Sequence, residues 1–281
     1  MKRKLSSEKV INDFGTEWVR FNYDSPISNE LLMQFERYLA PVPQGFFENK
    51  SIVAADFGAG SGRWSQLLKS RVSKLYVVEP SELVAPILKK KFIEFPNVEV
   101  ITARIENHGI ADEHLDFAMS LGVLHHVDDT EGLLSRIFRS LKPGGLFLGY
   151  LYYDLSNKSF LYRVIWSISN SLRNIISRFP KPLKVATCEF LALFVYWPLS
   201  RFSFLISKLG LSDKNLPLHQ YSRQSLYILR NDALDRFGTR LEKRYSQNQI
   251  RELLINAGAD LNTIHFSDME PFWTFTAEKL R

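Results

Sequence analysis

The sequence predicts an α/β fold: a seven-stranded, mostly parallel sheet with helices on both faces and a helical insertion after the fifth strand. Three observations carry this expectation. From Ser51 the chain alternates short apolar runs with amphipathic ones, the pattern of parallel strands joined by crossover helices. The first apolar run empties into a loop with glycine at alternate positions, Gly58, Gly60 and Gly62, which lets a backbone come very close to a ligand. After Tyr153 the alternation stops. Residues 154–245 hold apolar and amphipathic stretches broken by Pro180, Pro182, Pro198 and Pro217.

Each element has its own reason. Residues 1–48 read as a helical preface, in which "NELLMQFERYL" has helical apolar spacing and Asn29 stands where an N-cap would. "IVAADF" is a buried strand and "RWSQLLKSR" its helix. "KLYVVE" and "SELVAPILKKKF" repeat the unit, and "VEVIT" and "LDFAMSLG" are the third and fourth strands. A helix over Glu131–Leu141 stops at Pro143-Gly144-Gly145, and "LFLGYLYY" is the fifth strand. Beyond the insertion, residues 246–281 return to the core. They form a Ser-capped helix, "SQNQIRELLINAGA", and two closing strands, "DLNTIHFS" and "FWTFTAEKL".

Composition narrows the function. The chain has 281 residues, 45% hydrophobic and 23% charged, with a single cysteine, Cys188. One thiol allows no internal disulfide, so a reducing, cytoplasmic setting is expected. No apolar run reaches the roughly 20 residues of a membrane span; the longest, Phe190–Leu199, contains Pro198. Six His and one Cys show no metal-ligand spacing. The net charge of +6 is concentrated: residues 151–210 carry 8 Lys and Arg against 2 acids. Those cations are interleaved with aliphatics more than with stacking aromatics, which argues against nucleic acid. The segment suits a lid, a homodimer interface or a peripheral contact with the inner membrane face.

The loop selects a ligand. A dinucleotide fingerprint reads G-x-G-x-x-G, whereas here the spacing is G-x-G-x-G and Asp56 stands two residues ahead. A carboxylate there is unfavourable beside a pyrophosphate and suits an ammonium or sulfonium charge. "DFGAGSG" resembles motif I of class I S-adenosylmethionine-dependent methyltransferases, a Rossmann-like family. The resemblance runs through about residues 50–150, with Glu79 in "VVEPS", the run "LGVLHHVDD" and the lead-in "LKPGG". It implies S-adenosyl-L-methionine as cofactor, held by Asp56, Gly58, Ala59, Gly60, Gly62, Glu79, Pro80, Arg104, Ile105 and Leu121. Glu79 would accept from both ribose hydroxyls. Arg104 departs from the pattern, since many members carry an acid there, and backbone at Ile105 would replace it.

"SLGVLHH" resembles small-molecule methyltransferases such as those of quinone biosynthesis, and lacks the Asn/Asp-Pro-Pro-aromatic motif of amino-methyltransferases. A hydroxyl acceptor needs a base, for which His126 is the first candidate and His125 the second. Trp18 in "FGTEWVRF" reads as a lid over the cofactor. Tyr221, Asp232 and Arg236 in 217–245 read as acceptor-binding groups. O-methylation of a small molecule is favoured. A lipid-linked or quinone-like acceptor at the membrane surface and a catalytically silent partner subunit stay open.

Overall fold

A computed structural model of the chain describes residues 2–24, 27–48, 51–155, 159–211, 216, 218–268 and 272–281; Pro217 lies outside them. The chain forms two compact units, Met1–Ser156 with Leu241–Arg281, and Asn157–Arg240.

The first unit is built on one sheet. Its strands are β1 (Val53–Phe57), β2 (Lys74–Val78), β3 (Val98–Ile101), β4 (Leu115–Leu121), β5 (Leu141–Tyr152), β6 (His265–Phe266) and β7 (Phe272–Glu278). Their order is β3-β2-β1-β4-β5-β7-β6. β1 to β5 are parallel, and β7 runs antiparallel between β5 and β6. The order reverses between β1 and β4, and ligands bind at such switch points, outside the C-terminal strand ends. Phe57, Phe117, Phe138, Phe147 and Phe275 are fully buried about the sheet.

Helices α1 (Lys2–Arg20), α2 (Asn29–Leu39), α3 (Ser65–Leu68), α4 (Ala85–Phe92) and α5 (Thr130–Ser140) also belong to this unit. The cap of α2 is Ser28 and not Asn29: the Ser28 hydroxyl accepts from Leu31 N. Both residue types cap well, so the sequence alone misplaces the start by one. α3 keeps only 4 of the residues expected to be helical, the segment around it being turns. β6 is likewise reduced to 2 residues, because a short 3-10 turn, Leu261–Thr263, takes the start of the expected strand.

The second unit holds α6 (Phe160–Ile176), α7 (Lys181–Leu191), α8 (Trp197–Lys208) and α9 (Leu226–Gly238). A π-turn, Ala192–Tyr196, joins α7 to α8, so one helix runs through the expected break at Pro198. Proline has no N–H to give and its ring crowds the carbonyl four residues back; the wider turn just ahead relieves both. The resulting helix, Lys181–Lys208, has 28 residues and is long and apolar enough to cross a membrane by length and composition alone, contrary to the sequence expectation. Glu189 on α7 takes a bidentate contact from Arg230 on α9, at 2.6 and 3.0 Å. α10 (Gln247–Asn256), back in the first unit, starts at a capping box between Ser246 and Gln249.

Candidate functional site

The site begins with two buried carboxylates. Asp56 stands near the end of β1 and Glu79 directly after β2, and adjacent parallel strands bring their ends together. Glu79 Oε2 accepts the backbone N–H of Gly60 at 2.9 Å, and Oε1 that of Ser81 at 3.0 Å. The Ser65 hydroxyl donates to Asp56 at 2.5 Å. Among the described residues, neither carboxylate pairs with Lys or Arg. Burial therefore dominates: it pushes Asp56 up to about 7, opposed by the Ser65 hydrogen bond and assisted by the Glu79 charge. Burial likewise lifts Glu79 to about 7, against its two backbone donors.

Glu79 thus pins the glycine loop to the end of β2. Gly58 and Ala59 N–H groups both donate to Val78 O, at 2.8 and 3.1 Å. Gly58 and Gly60 have φ of +78° and +56°, the left-handed region that costs other residues energy. A Cβ on Gly60 would stand 2.7–2.9 Å from the Trp18 indole, and one on Gly58 2.5 Å from Val123. Gly62 lies against Leu88 and Phe92 of α4 and serves packing. Gly60→Ala is therefore expected to destabilise the protein by about 1–3 kcal/mol through strain and the indole clash. Trp18→Ala in the same chain should restore only part of the loss in thermal unfolding, because the strain remains. Full restoration would mean that the clash is the whole effect.

Trp18 belongs to α1, which lies across the loops at the strand ends. Gly15 is packed against Ser81. The Phe14 ring is 4.9 Å from that of His126, and Arg104 is 4.0 Å from Glu8. Arg63, the next residue after Gly62, sits over the rings of Trp64, Tyr23 and Trp18 at 4.3, 5.0 and 5.5 Å.

The turn after β4 carries the histidines. Both are buried. They lie in a stack: Arg244 is 5.0 Å over Tyr152, Tyr152 is 3.9 Å from His125, and His125 is 4.1 Å from His126. Burial, the neighbouring His126 and the Arg244 charge together hold His125 well below its ordinary value, against a hydrogen bond with the Tyr150 backbone. His126 Nδ1 is 2.7 Å from Leu241 O. A carbonyl only accepts, so Nδ1 donates to it, and in a neutral imidazole held this way the lone pair would stand on Nε2. Lys243 N donates to His125 O at 2.9 Å, so the segment that follows the second unit in sequence fixes the histidine turn.

The remaining expected residues are placed as follows. Ala59 and Leu121 are buried beside the loop and at the end of β4, and Pro80 follows Glu79 half-buried. Arg104 caps a 3-10 turn, Ile105–Asn107, and Ile105 points into the core. Tyr221, Asp232 and Arg236 belong to the second unit, where they gather about Tyr196. The Tyr221 ring is 5.8 Å from that of Tyr196. Burial raises the Tyr196 hydroxyl, with Arg236 opposing and Asp232 assisting. Sequence reasoning missed Ser65, Val123, Tyr152 and Leu241. Ser65 alone had a signal, as a hydroxyl nine residues beyond Asp56.

Residues 55–149 match the family model described as a methyltransferase domain. Curated relatives include an uncharacterized methyltransferase of Mycobacterium tuberculosis and one of Mycobacterium bovis, each 30% identical over 97 residues, covering 32% of this chain and 45% of the relative. The match thus spans less than half the length of those relatives. Similar solved structures include a methyltransferase of Thermotoga maritima, with a TM-score of 0.50, 17% identity and 98% of both chains covered. Another, from Mesorhizobium loti, has a TM-score of 0.50 and 13% identity, with 88% of this chain and 96% of that one covered. Human N-acetylserotonin methyltransferase, solved with S-adenosylmethionine, has a TM-score of 0.50 and 16% identity over 88% of this chain and 52% of its own. These likenesses establish the fold.

Proposed function

We propose, from the premise that residues 55–149 are a class I S-adenosylmethionine-dependent methyltransferase domain, that this protein transfers a methyl group to a hydroxyl of a small-molecule acceptor. One observation carries the reading: two buried carboxylates, Asp56 and Glu79, meet at the glycine loop with only hydroxyl and backbone donors as partners.

The residues fit the cofactor. Each Glu79 oxygen uses one lone pair on a backbone N–H and keeps another, which suits a pair of ribose hydroxyls. Asp56, raised by burial, is stabilised in its charged form by a nearby cation. Gly58 and Gly60 let the backbone come as close to a ligand as it comes to Val123 and Trp18, where any Cβ would clash. Pro80, Arg104, Ile105 and Leu121 would border the nucleoside. When bound, S-adenosylmethionine supplies a methyl carbon on a cationic sulfur, already activated by its leaving group.

The chain's own work is then to orient the acceptor, exclude water and take a proton. We assign the proton to His126 Nε2, since Leu241 O engages Nδ1 and leaves Nε2 as the nitrogen to serve as the base. Tyr152 and His125 stack behind His126 and fix its ring. Trp18 and Phe14 on α1 shield the site from solvent. Tyr221, Asp232 and Arg236 are the residues to vary for acceptor choice, and the reaction belongs in the cytoplasm.

Transfer of labelled methyl from S-adenosylmethionine to a panel of phenols, hydroxy acids and amines tests the reading. His126→Asn keeps a donor for Leu241 O and removes Nε2. It is expected to lower kcat about 100-fold or more, with cofactor affinity changed less than about threefold. A variant that keeps the wild-type rate would contradict O-methylation and point to an acceptor that needs no base.

A further inference from the structure

We infer that the second unit docks on an anionic lipid bilayer, with the outer apolar stripes of α6 and of the α7–α8 helix lying in the plane of the interface. The inference rests on the surface of that unit and is independent of the acceptor and the reaction.

The first observation is the phase of the long helix. Phe190, Phe194 and Phe202 on it, and Leu209 at its C-cap, are 57%, 65%, 53% and 66% exposed. An α-helix turns about 100° per residue, so in a regular helix Phe202 would stand about 120° round from Phe190. The π-turn Ala192–Tyr196 inserts one residue and cuts that offset to about 20°. The buried row Cys188, Ala192, Tyr196, Ser200 and Ser203 keeps to the opposite side by the same device. The helix thus has one packed side and one straight outer stripe from end to end. An ordinary surface helix fills its outer stripe with polar residues; this one fills it with Phe and Leu. α6 does the same with Ile165, Ile168, Leu172 and Ile175, all exposed and spaced to share a face.

The second observation is charge, and it selects the occupant. The second unit carries 13 Lys and Arg against 4 Asp and Glu, a net +9. The rest of the chain carries 23 against 26, a net −3. Arg163, Arg178, Lys181 and Lys208 are exposed on α6 to α8. The one acid on these helices, Glu189, is taken up by Arg230. Exposed apolar stripes flanked by cations complement an anionic lipid surface. A second copy through the same face would set +9 against +9, and like charges oppose such an interface.

The same geometry argues for lying in the interface over crossing it. The inner side of the helix packs on α9, and a crossing would draw Glu189, Arg230, Asp232 and Asp235 into hydrocarbon, where charges are costly.

Co-sedimentation of the full chain with vesicles is the test. Vesicles of phosphatidylcholine with about 30% phosphatidylglycerol should bind it at least about tenfold better than phosphatidylcholine alone, and about 0.5 M salt should release it. Phe194→Glu with Phe202→Glu should weaken binding about tenfold or more with little change in unfolding temperature, since both side chains are exposed. Arg178→Glu with Lys208→Glu, which leaves the stripe intact, should weaken it as well. Failure to bind anionic vesicles, or equal binding to neutral ones, overturns the inference. So does attachment that resists both salt and alkaline carbonate, which marks a spanning helix. A dimer that the two Phe substitutions split, with no vesicle binding, assigns the stripe to a second copy and also overturns it.

Discussion

Glu79→Gln is expected to weaken S-adenosylmethionine binding about 10- to 100-fold, equivalent to about 1.4–2.7 kcal/mol. The substitution keeps the size of the side chain but replaces one acceptor oxygen with an NH2 group. In the native site both oxygens are committed, Oε2 to Gly60 N–H and Oε1 to Ser81 N–H. One of those donors would then face another donor. The glycine loop would lose part of its anchor to β2, and one ribose hydroxyl would lose its acceptor. The negative charge is lost too, although burial already makes that charge costly. Calorimetric titration of the variant checks the expectation. An unchanged affinity would mean that Glu79 only pins the loop and never meets the ligand.

The second large effect is on pH. The ligand-free protein is expected to lose stability as pH rises from about 4 to about 7, by about 3–4 kcal/mol for each carboxylate. Asp56 moves from 3.8 to about 7 and Glu79 from 4.5 to about 7 on folding, so between those limits the folded state holds more protons than the unfolded one. The stabilisation is complete below the unfolded values, falls steadily between the unfolded and folded ones, and is gone above the folded ones. A cationic ligand reverses the balance, because it favours the ionised carboxylates. Cofactor affinity should therefore rise as pH climbs through about 7, from pH 6 to pH 8. Asp56→Asn keeps an acceptor for the Ser65 hydroxyl, should raise the ligand-free unfolding temperature at pH 8, and should flatten the affinity profile. Scanning calorimetry between pH 4 and 8, with and without cofactor, reads both. A flat wild-type profile, or an Asp56→Asn profile that matches it, would remove this electrostatic account.

Much of the sheet was legible in the sequence because its central strands have little freedom. Strands buried on both faces need continuous apolar runs, and β1 and β4 supply them in "VAADF" and "LDFAMSL". The Gly58–Gly62 loop was legible because few residues besides glycine accept its backbone. Glu79 could be placed because it ends a strand beside that loop. What escaped was set by contacts distant in sequence. Trp18 lies over Gly60, 42 positions on, and no local pattern records that choice. Leu241 O engages His126 Nδ1 from 115 positions away. The helix through Pro198 was misread because proline usually ends a helix, and the π-turn that accommodates it leaves no mark in composition. Asn29 and Ser28 compete for one cap, and only the hydrogen bond to Leu31 N decides between them.

The central claim is that the carboxylates and glycines at the β1/β4 switch point hold a sulfonium nucleoside. Calorimetric titration of the ligand-free wild-type protein with S-adenosylmethionine, S-adenosylhomocysteine and NAD tests it most directly. The account predicts micromolar binding of both sulfur nucleosides and none of NAD. Absence of nucleoside binding, or tighter binding of NAD, would contradict it.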